Sequence, residues 1–230
     1  MKISRNLSLT IHFFFDHIVP PFLRDSYWFM FLPFKILFGK KAKIFFNFKD
    51  RLPGMTKEEY LKVYSEVEDV LVERETDLNK ECLRRIQENI SGKTVLEVGC
   101  GRGLLAKLLS AKYNVKAVDI YVDENKNSEN LIFLKADAED LPFENKSFDT
   151  VICTHTLEHV LDFNTAVSEL RRVAKQRIII VVPRQRPYKY TFDLHTRFFP
   201  YLNLFLALIG REAGQGSIIG GDIFYIENMN

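Results

Sequence analysis

The residues best placed by type and spacing to do chemistry form one short run, Val95-Leu96-Glu97-Val98-Gly99-Cys100-Gly101-Arg102-Gly103. A β-branched stretch from Thr94 to Val98 leads into it, and Leu104, Leu105, Leu108 and Leu109 leave it at helical spacing. Strand, glycine turn and helix in that order make a ligand cradle at strand carboxyl ends. Glycine accepts positive φ there and lets a ligand approach the backbone. The glycines stand at positions one, three and five, whereas a dinucleotide fingerprint needs its third at position six, which here is Leu104. Glu97, two residues before the first glycine, would repel a pyrophosphate and suits a cationic ligand such as one carrying an amino group. Asp119 ends a second apolar run, 20 residues past Gly99, where a carboxylate can accept bonds from both hydroxyls of a ribose.

The elements that must position these residues follow from periodicity. Strands are expected at 94–98, 115–119, 131–135, 148–153 and 177–182, the last closed by Pro183. Helices are expected after the glycine loop, through Phe163, Val167, Leu170 and Val173 with Asp162 as cap, and over Leu202 to Ile209. Ser217–Ile219 and Asp222–Ile226 flank Gly220-Gly221, which predicts a hairpin and a final antiparallel strand. Alternating strands and helices imply an α/β, doubly wound, mostly parallel sheet. Upstream, Thr56-Lys57-Glu58-Glu59 has the form of a capping box before Tyr60, Val63, Tyr64, Val67, Val70 and Leu71. A second helix is expected after Asp77 as N-cap, carrying Leu78, Cys82, Leu83 and Ile86 and ending at Ser91-Gly92. The chain thus reads as three segments: an aromatic, basic, Pro-broken front at 1–54, a helical extension at 55–91, and the α/β domain at 92–230.

With 230 residues, 47% hydrophobic and 27% charged, the chain can bury a sizeable core. Its net charge of +2 calls for no polyanionic partner, but residues 1–54 carry nine Lys/Arg against three Asp. Cys82, Cys100 and Cys153 fit neither a disulfide framework nor a zinc site, which suggests reduced thiols and a cytoplasmic setting. No signal-peptide pattern is evident, and no apolar stretch reaches the length of a membrane span. Eleven of the 20 Phe residues, the single Trp28 and Tyr27 fall within residues 1–50, beside Lys35, Lys40, Lys41 and Lys43. Apolar bulk with a basic cluster suits either a helical lid or peripheral contact with the inner face of an anionic membrane. The segment is too apolar, and its basic residues too few, for nucleic acid.

Val95 to Leu109 resembles motif I of the class I S-adenosylmethionine-dependent methyltransferases, Glu-x-Gly-x-Gly-x-Gly. Ala136-Asp137-Ala138-Glu139-Asp140-Leu141-Pro142-Phe143 and Ser147-Phe148-Asp149 resemble the third- and fourth-strand region of the type 11 branch, and Thr156-Leu157-Glu158-His159-Val160 the segment after the fourth strand. The resemblance covers about residues 92–183. It implies a Rossmann-like fold and S-adenosylmethionine as cofactor, held by Glu97, Gly99, Cys100, Gly101, Gly103 and Asp119. It further implies that Asp137 and Ala138 read the adenine edge, that Ile120 packs on the adenine face, and that Thr154 lies near the methionine end.

A sulfonium is already an activated methyl donor, so the protein mainly aligns the acceptor and excludes water; a hydroxyl acceptor also benefits from a base. His155, His159 and His195 are the candidates. His155 and His159 would share one face if they begin a helix, with Glu158 adjacent. That cluster is similar to the Glu-x-x-Glu-His metal site of some ubiquinone-pathway O-methyltransferases, with His155 in place of the first Glu. We assign no metal to it, and the alternative is a structural turn with His159 bonded internally. His195 follows the fifth strand, where the branch often places a histidine near the acceptor pocket. Asp193 would orient it, Arg197 would hold an anionic group, and Tyr188 and Tyr190 would line the pocket; the alternative is a surface loop. Thr154-His155-Thr156 is unlike the Asn-Pro-Pro-Tyr pattern of amino-methylating nucleic-acid enzymes. The expected function is O-methylation of a small or lipid-linked acceptor, a glycan or quinone-like ring. The alternative is a membrane-associated, methyltransferase-like binding protein without turnover.

Overall fold

The structure is a computed structural model that describes residues 10, 13–15, 18–67, 70, 76–123, 127–210 and 214–229. Leu71, expected in the first helical extension, lies outside the described residues, as do the N-terminal Lys2, Arg5, His12 and His17. The chain divides into two units: residues 1–74 with 186–196, and residues 75–185 with 197–230. The segments drawn from the sequence differ in two places. The helix at 80–88 belongs with the α/β unit, and the stretch after the fifth strand belongs with the N-terminal one.

The first unit is helical: α1 (Pro21–Arg24), α2 (Tyr27–Phe38), α3 (Ala42–Arg51) and α4 (Lys57–Val67). The capping box forms, with the Thr56 N–H donating to Glu59 Oε2 at 2.9 Å and the Glu59 N–H to Thr56 Oγ1 at 3.3 Å. Its core is a ring cluster in which Phe34 and Phe46 stack at 4.8 Å and Tyr190 packs on Phe46 at 5.0 Å. Phe192 lies 4.8 Å from Phe34 and 5.3 Å from Phe15. Residues 186–196 are therefore held by aromatic contacts from the chain's front end.

The second unit contains α5 (Lys80–Glu88), β1 (Thr94–Val98), α6 (Leu104–Ser110), β2 (Asn114–Asp119), β3 (Leu131–Lys135), β4 (Phe148–Thr154), α7 (Phe163–Val173), β5 (Ala174–Pro183), α8 (Leu202–Ile209), β6 (Gly214–Ile219) and β7 (Asp222–Asn228). The seven strands run in the order β3-β2-β1-β4-β5-β7-β6; β1–β5 are parallel, and β7 pairs antiparallel with both β5 and β6. Strand alternation divides the core. Leu96, Val98, Val151 and Ile178 pack on the face that takes Phe163, Val167 and Leu170 of α7. Val95, Val115, Ile152 and Ile179 pack on the face that takes Cys82, Ile86, Leu105 and Leu109 of α5 and α6. The order reverses at β1, between its neighbours β2 and β4, and open α/β sheets bind ligands at such a point.

Two caps merit comparison. Asp162 caps α7 as expected, its Oδ1 accepting from Asn164 and Thr165 at 3.0 and 3.1 Å. The cap of α5 is Asn79, not Asp77, and the helix ends at Glu88, short of Ser91-Gly92. Asn79 Oδ1 accepts the Cys82 N–H at 2.8 Å, and its amide donates to Asp222 Oδ2 at 2.8 Å and the Ile219 carbonyl at 3.0 Å. These bonds tie α5 to the β6–β7 turn and thereby select Asn79 over an equally competent capping residue two positions earlier.

Candidate functional site

The glycine loop leaves β1 with three residues at positive φ: Gly99 at 74°, Gly101 at 50° and Gly103 at 75°. The Gly99 and Cys100 N–H groups donate to the Val118 carbonyl of β2 at 2.8 and 3.0 Å, closing the loop over the end of the sheet. A side chain at Gly99 would overlap Thr156, and one at Gly103 would overlap the Phe133 ring, whereas Gly101 faces open space. Two of the glycines are thus required by packing as well as by φ. Gly101 is where a ligand can reach the backbone.

Alternation along β1 turns Glu97 toward α6, on the same face as Val95. Glu97 is buried and accepts a bond from the Ala106 backbone in the first turn of α6. Its Oε2 has no hydrogen-bond partner. Burial pushes its pKa up to about 8; the Ala106 bond opposes this, and the nearby Asp119 carboxylate adds to it. Asp119 also titrates above its ordinary range because burial outweighs the bonds it accepts. Its Oδ2 takes the Gly101 N–H at 2.8 Å and its Oδ1 the Tyr121 N–H at 3.1 Å, and the Ile120 backbone bonds to the same carboxylate, which leaves part of its acceptor capacity free.

The other expected cofactor residues lie along the same strand ends. The Ala136 N–H donates to the Asp119 carbonyl at 3.1 Å, which sets the segment after β3 beside the end of β2. Asp137 is half-buried and its Oδ1 accepts the Glu139 N–H at 2.9 Å; the Ala138 side chain joins the core. Ile120 is half-buried, and Cys100 is buried with its thiol pushed up by desolvation. Thr154 is buried at the end of β4, where its carbonyl accepts from Thr156 Oγ1 at 3.0 Å. Thr156, in the Thr-Leu-Glu-His-Val motif, is a further residue of the site that residue type and spacing alone do not mark. Its contact with Gly99 makes it part of the cradle wall.

Of the two arrangements open to His155 and His159, a shared helix face or a structural turn, the chain adopts the turn. Residues 155–159 form a turn, not a helix, in which the His159 N–H donates to the Thr156 carbonyl at 2.8 Å. His155 is in the left-handed region at φ 49°, fixed by its N–H bond to the Val181 carbonyl at 2.8 Å. Its ring lies between two carboxylates, Nδ1 3.6 Å from Glu158 Oε1 and Nε2 3.7 Å from Asp222 Oδ2. Burial alone would lower its pKa, but Asp222 and Glu158 outweigh it and hold the value up at about 10. His155 is therefore an imidazolium at neutral pH and has no lone pair to act as a base. Asp222 was not legible as a partner, because β7 brings it from 67 residues away.

Arg197 lies in the second unit, its guanidinium 5.1 Å from the Phe163 ring centroid and its Nε buried without a hydrogen-bond partner. Tyr188, Tyr190 and His195 are buried in the first unit. Arg24 stacks over Tyr188 at 4.5 Å, and Tyr27 packs near Tyr190 at 6.5 Å.

Comparison with known proteins fits this site. Residues 96–182 match the type 11 methyltransferase domain family. The chain is 36% identical over 101 residues to a phthiotriol/phenolphthiotriol dimycocerosates methyltransferase of Mycobacterium leprae, covering 39% of this chain and 36% of that one. It is 33% identical over 98 residues to a fatty-acid O-methyltransferase of Mycolicibacterium smegmatis, covering 39% and 36%. The chain thus spans little more than a third of these relatives' own lengths. A solved S-adenosylmethionine-dependent methyltransferase of Aquifex aeolicus shares the fold at TM-score 0.51 and 21% identity, over 64% of this chain and 88% of that one. Residues 96–182 thus carry the match to the type 11 methyltransferase domain, and the α/β unit around them has the class I methyltransferase fold.

Proposed function

We propose that the protein transfers a methyl group from S-adenosylmethionine to an oxygen of a small or lipid-linked acceptor, such as a glycan or a quinone-like ring. The observation that carries the cofactor half is Glu97, a buried carboxyl with one oxygen unpartnered beside a glycine cradle. Such an oxygen is costly unless a cationic or hydrogen-bonding group meets it. The cofactor supplies a methyl carbon activated by its sulfonium. Glu97 takes the amino group of its methionine part, and Asp119 takes the ribose hydroxyls on the acceptor capacity left by its bonds to Gly101, Ile120 and Tyr121. Asp137 and Ala138 read the adenine edge, Ile120 covers its face, and Gly99, Cys100, Gly103 and Thr154 shape the wall. With His155 already protonated, His159 and His195 remain the base candidates, and Tyr188, Tyr190 and Arg197 the acceptor candidates.

A relative named as a fatty-acid O-methyltransferase, and another named for phthiotriol and phenolphthiotriol dimycocerosates, support the acceptor class. The aromatic, basic front end supports delivery of such an acceptor at the inner face of a membrane. Among the described residues no helix is long and apolar enough to cross one. The test is incubation with methyl-labelled S-adenosylmethionine and lipid extracts or purified quinone and glycan acceptors. Label is expected in the organic phase with the native chain and not with Asp119→Ala. A second reading, binding without turnover, is favoured by the placement of the His155 ring between the Glu158 and Asp222 carboxylates, which withdraws it from service as a base. Cofactor binding with no labelled product from any acceptor would establish it.

A further inference from the structure

We propose that the outer face of α2 docks on an anionic lipid bilayer. The proposal rests on the reading of a lipid-linked acceptor and names the surface that would meet the lipid. Helix α2, YWFMFLPFKILF, is apolar around its whole circumference, with Lys35 its single charged residue. A helix of that kind is ordinarily covered on all sides. Its inner side is covered: Met30, Phe34 and Phe38 are buried, and Phe38 stacks on Phe45 at 3.8 Å. Its outer side is not. Trp28, Leu32 and Ile36 are 85%, 63% and 73% exposed. At i, i+4 and i+8 they form one stripe of roughly 12 Å along the axis. Phe22, just before the helix, is 74% exposed as well.

The chemistry of the missing cover follows from the charges around the stripe. Residues 18–54 carry seven Lys/Arg and two Asp. Lys35, Lys40 and Lys43, all exposed, lie at or just past the C-terminal end of the helix. Apolar side chains bordered by lysines match the acyl boundary and headgroups of an anionic leaflet. Twelve residues reach roughly 18 Å, short of the ~30 Å of a hydrocarbon core, so the helix lies in the interface and does not span it. Tryptophan is the side chain most at home at that depth.

Trp28 is the only tryptophan in the chain, so its emission reports this face directly. The full chain is mixed at low salt with vesicles of phosphatidylcholine containing phosphatidylserine. Co-sedimentation and a blue shift of Trp28 emission are expected, both weakening as salt is raised. Leu32→Asp with Ile36→Asp should abolish both. Lys40→Gln and Lys43→Gln should each weaken partitioning about fivefold. Thermal unfolding confirms that each variant is folded. A folded native chain with unshifted emission and no sedimentation overturns the proposal. So does equal binding to phosphatidylcholine alone, or a concentration-dependent shift without lipid, which would assign the face to a second copy of the chain. S-adenosylmethionine titrations on the same samples separate the two readings. Cofactor binding without docking leaves the methyltransferase reading intact, and docking without cofactor binding leaves only the surface.

Discussion

Replacing Glu97 by Gln tests the electrostatics of the cradle quantitatively. The Glu97 carboxyl titrates at about 8 in the folded chain against an ordinary value of 4.5. A carboxyl raised on folding is protonated in both states at low pH. As pH rises from about 4.5 to about 8, the unfolded chain releases a proton that the folded chain keeps, so stability falls across that window and levels off above it. At 1.36 kcal/mol per pH unit the full penalty is about 5 kcal/mol, and about 3 kcal/mol has accrued by pH 7. Glu97→Gln cannot titrate, so the native and variant stability curves should diverge by about 3 kcal/mol between pH 4.5 and 7. Denaturant unfolding at four or five pH values measures this. Asp119 titrates in both proteins and largely cancels. Binding completes the cycle: a cationic amino group draws Glu97 into its carboxylate form. S-adenosylmethionine should therefore release close to one proton per site at pH 6–7, measurable by calorimetry in buffers of different ionisation enthalpy. The variant should release none and bind roughly 10- to 100-fold more weakly, the worth of a charge-assisted hydrogen bond. Parallel stability curves, or equal proton release in both proteins, would refute the reasoning.

Other expectations are simpler. Gly103→Ala should destabilise by about 2–4 kcal/mol in thermal unfolding, because the new methyl combines a positive φ with overlap of the Phe133 ring. Gly101→Ala, facing open space, should cost only about 1 kcal/mol. His155→Asn tolerates the left-handed backbone but removes the cation between two carboxylates, for a loss of about 3–5 kcal/mol at pH 7. The His155 value is raised on folding, so its contribution is complete below pH 6.5 and disappears as pH passes about 10. Ring NMR should accordingly show His155 still protonated at pH 8. Asp162→Ala should lower stability by about 1 kcal/mol through loss of the α7 cap.

Much of the α/β unit was legible because its signals are local. The bounds of β3 and α8 are those the periodicity gives, and the glycine loop sits between β1 and α6 as its spacing requires. The failures share a cause: tertiary partners far away in sequence. Asp77 and Asn79 both suit an N-cap, and the choice falls to Asn79 through Asp222 and the Ile219 carbonyl. Between a helix start and a turn at His155–His159 the sequence leaves both open, and the turn prevails because β5 fixes the His155 backbone through Val181 and β7 brings Asp222 to its ring. β5 begins at Ala174, directly where α7 ends, with no glycine or proline to mark the change. The grouping of residues 186–196 with the front end depends on Phe192 meeting Phe34 and Phe15, contacts that no spacing rule encodes.

Calorimetric titration of S-adenosylmethionine and S-adenosylhomocysteine into the purified chain, with NAD as control, tests the central claim most directly. The account predicts saturable one-site binding of the first two and none of NAD. A folded sample that binds neither would mean that the glycine loop is only a turn and that Glu97 is buried for another reason. Binding of NAD instead would contradict the reading of the cradle itself.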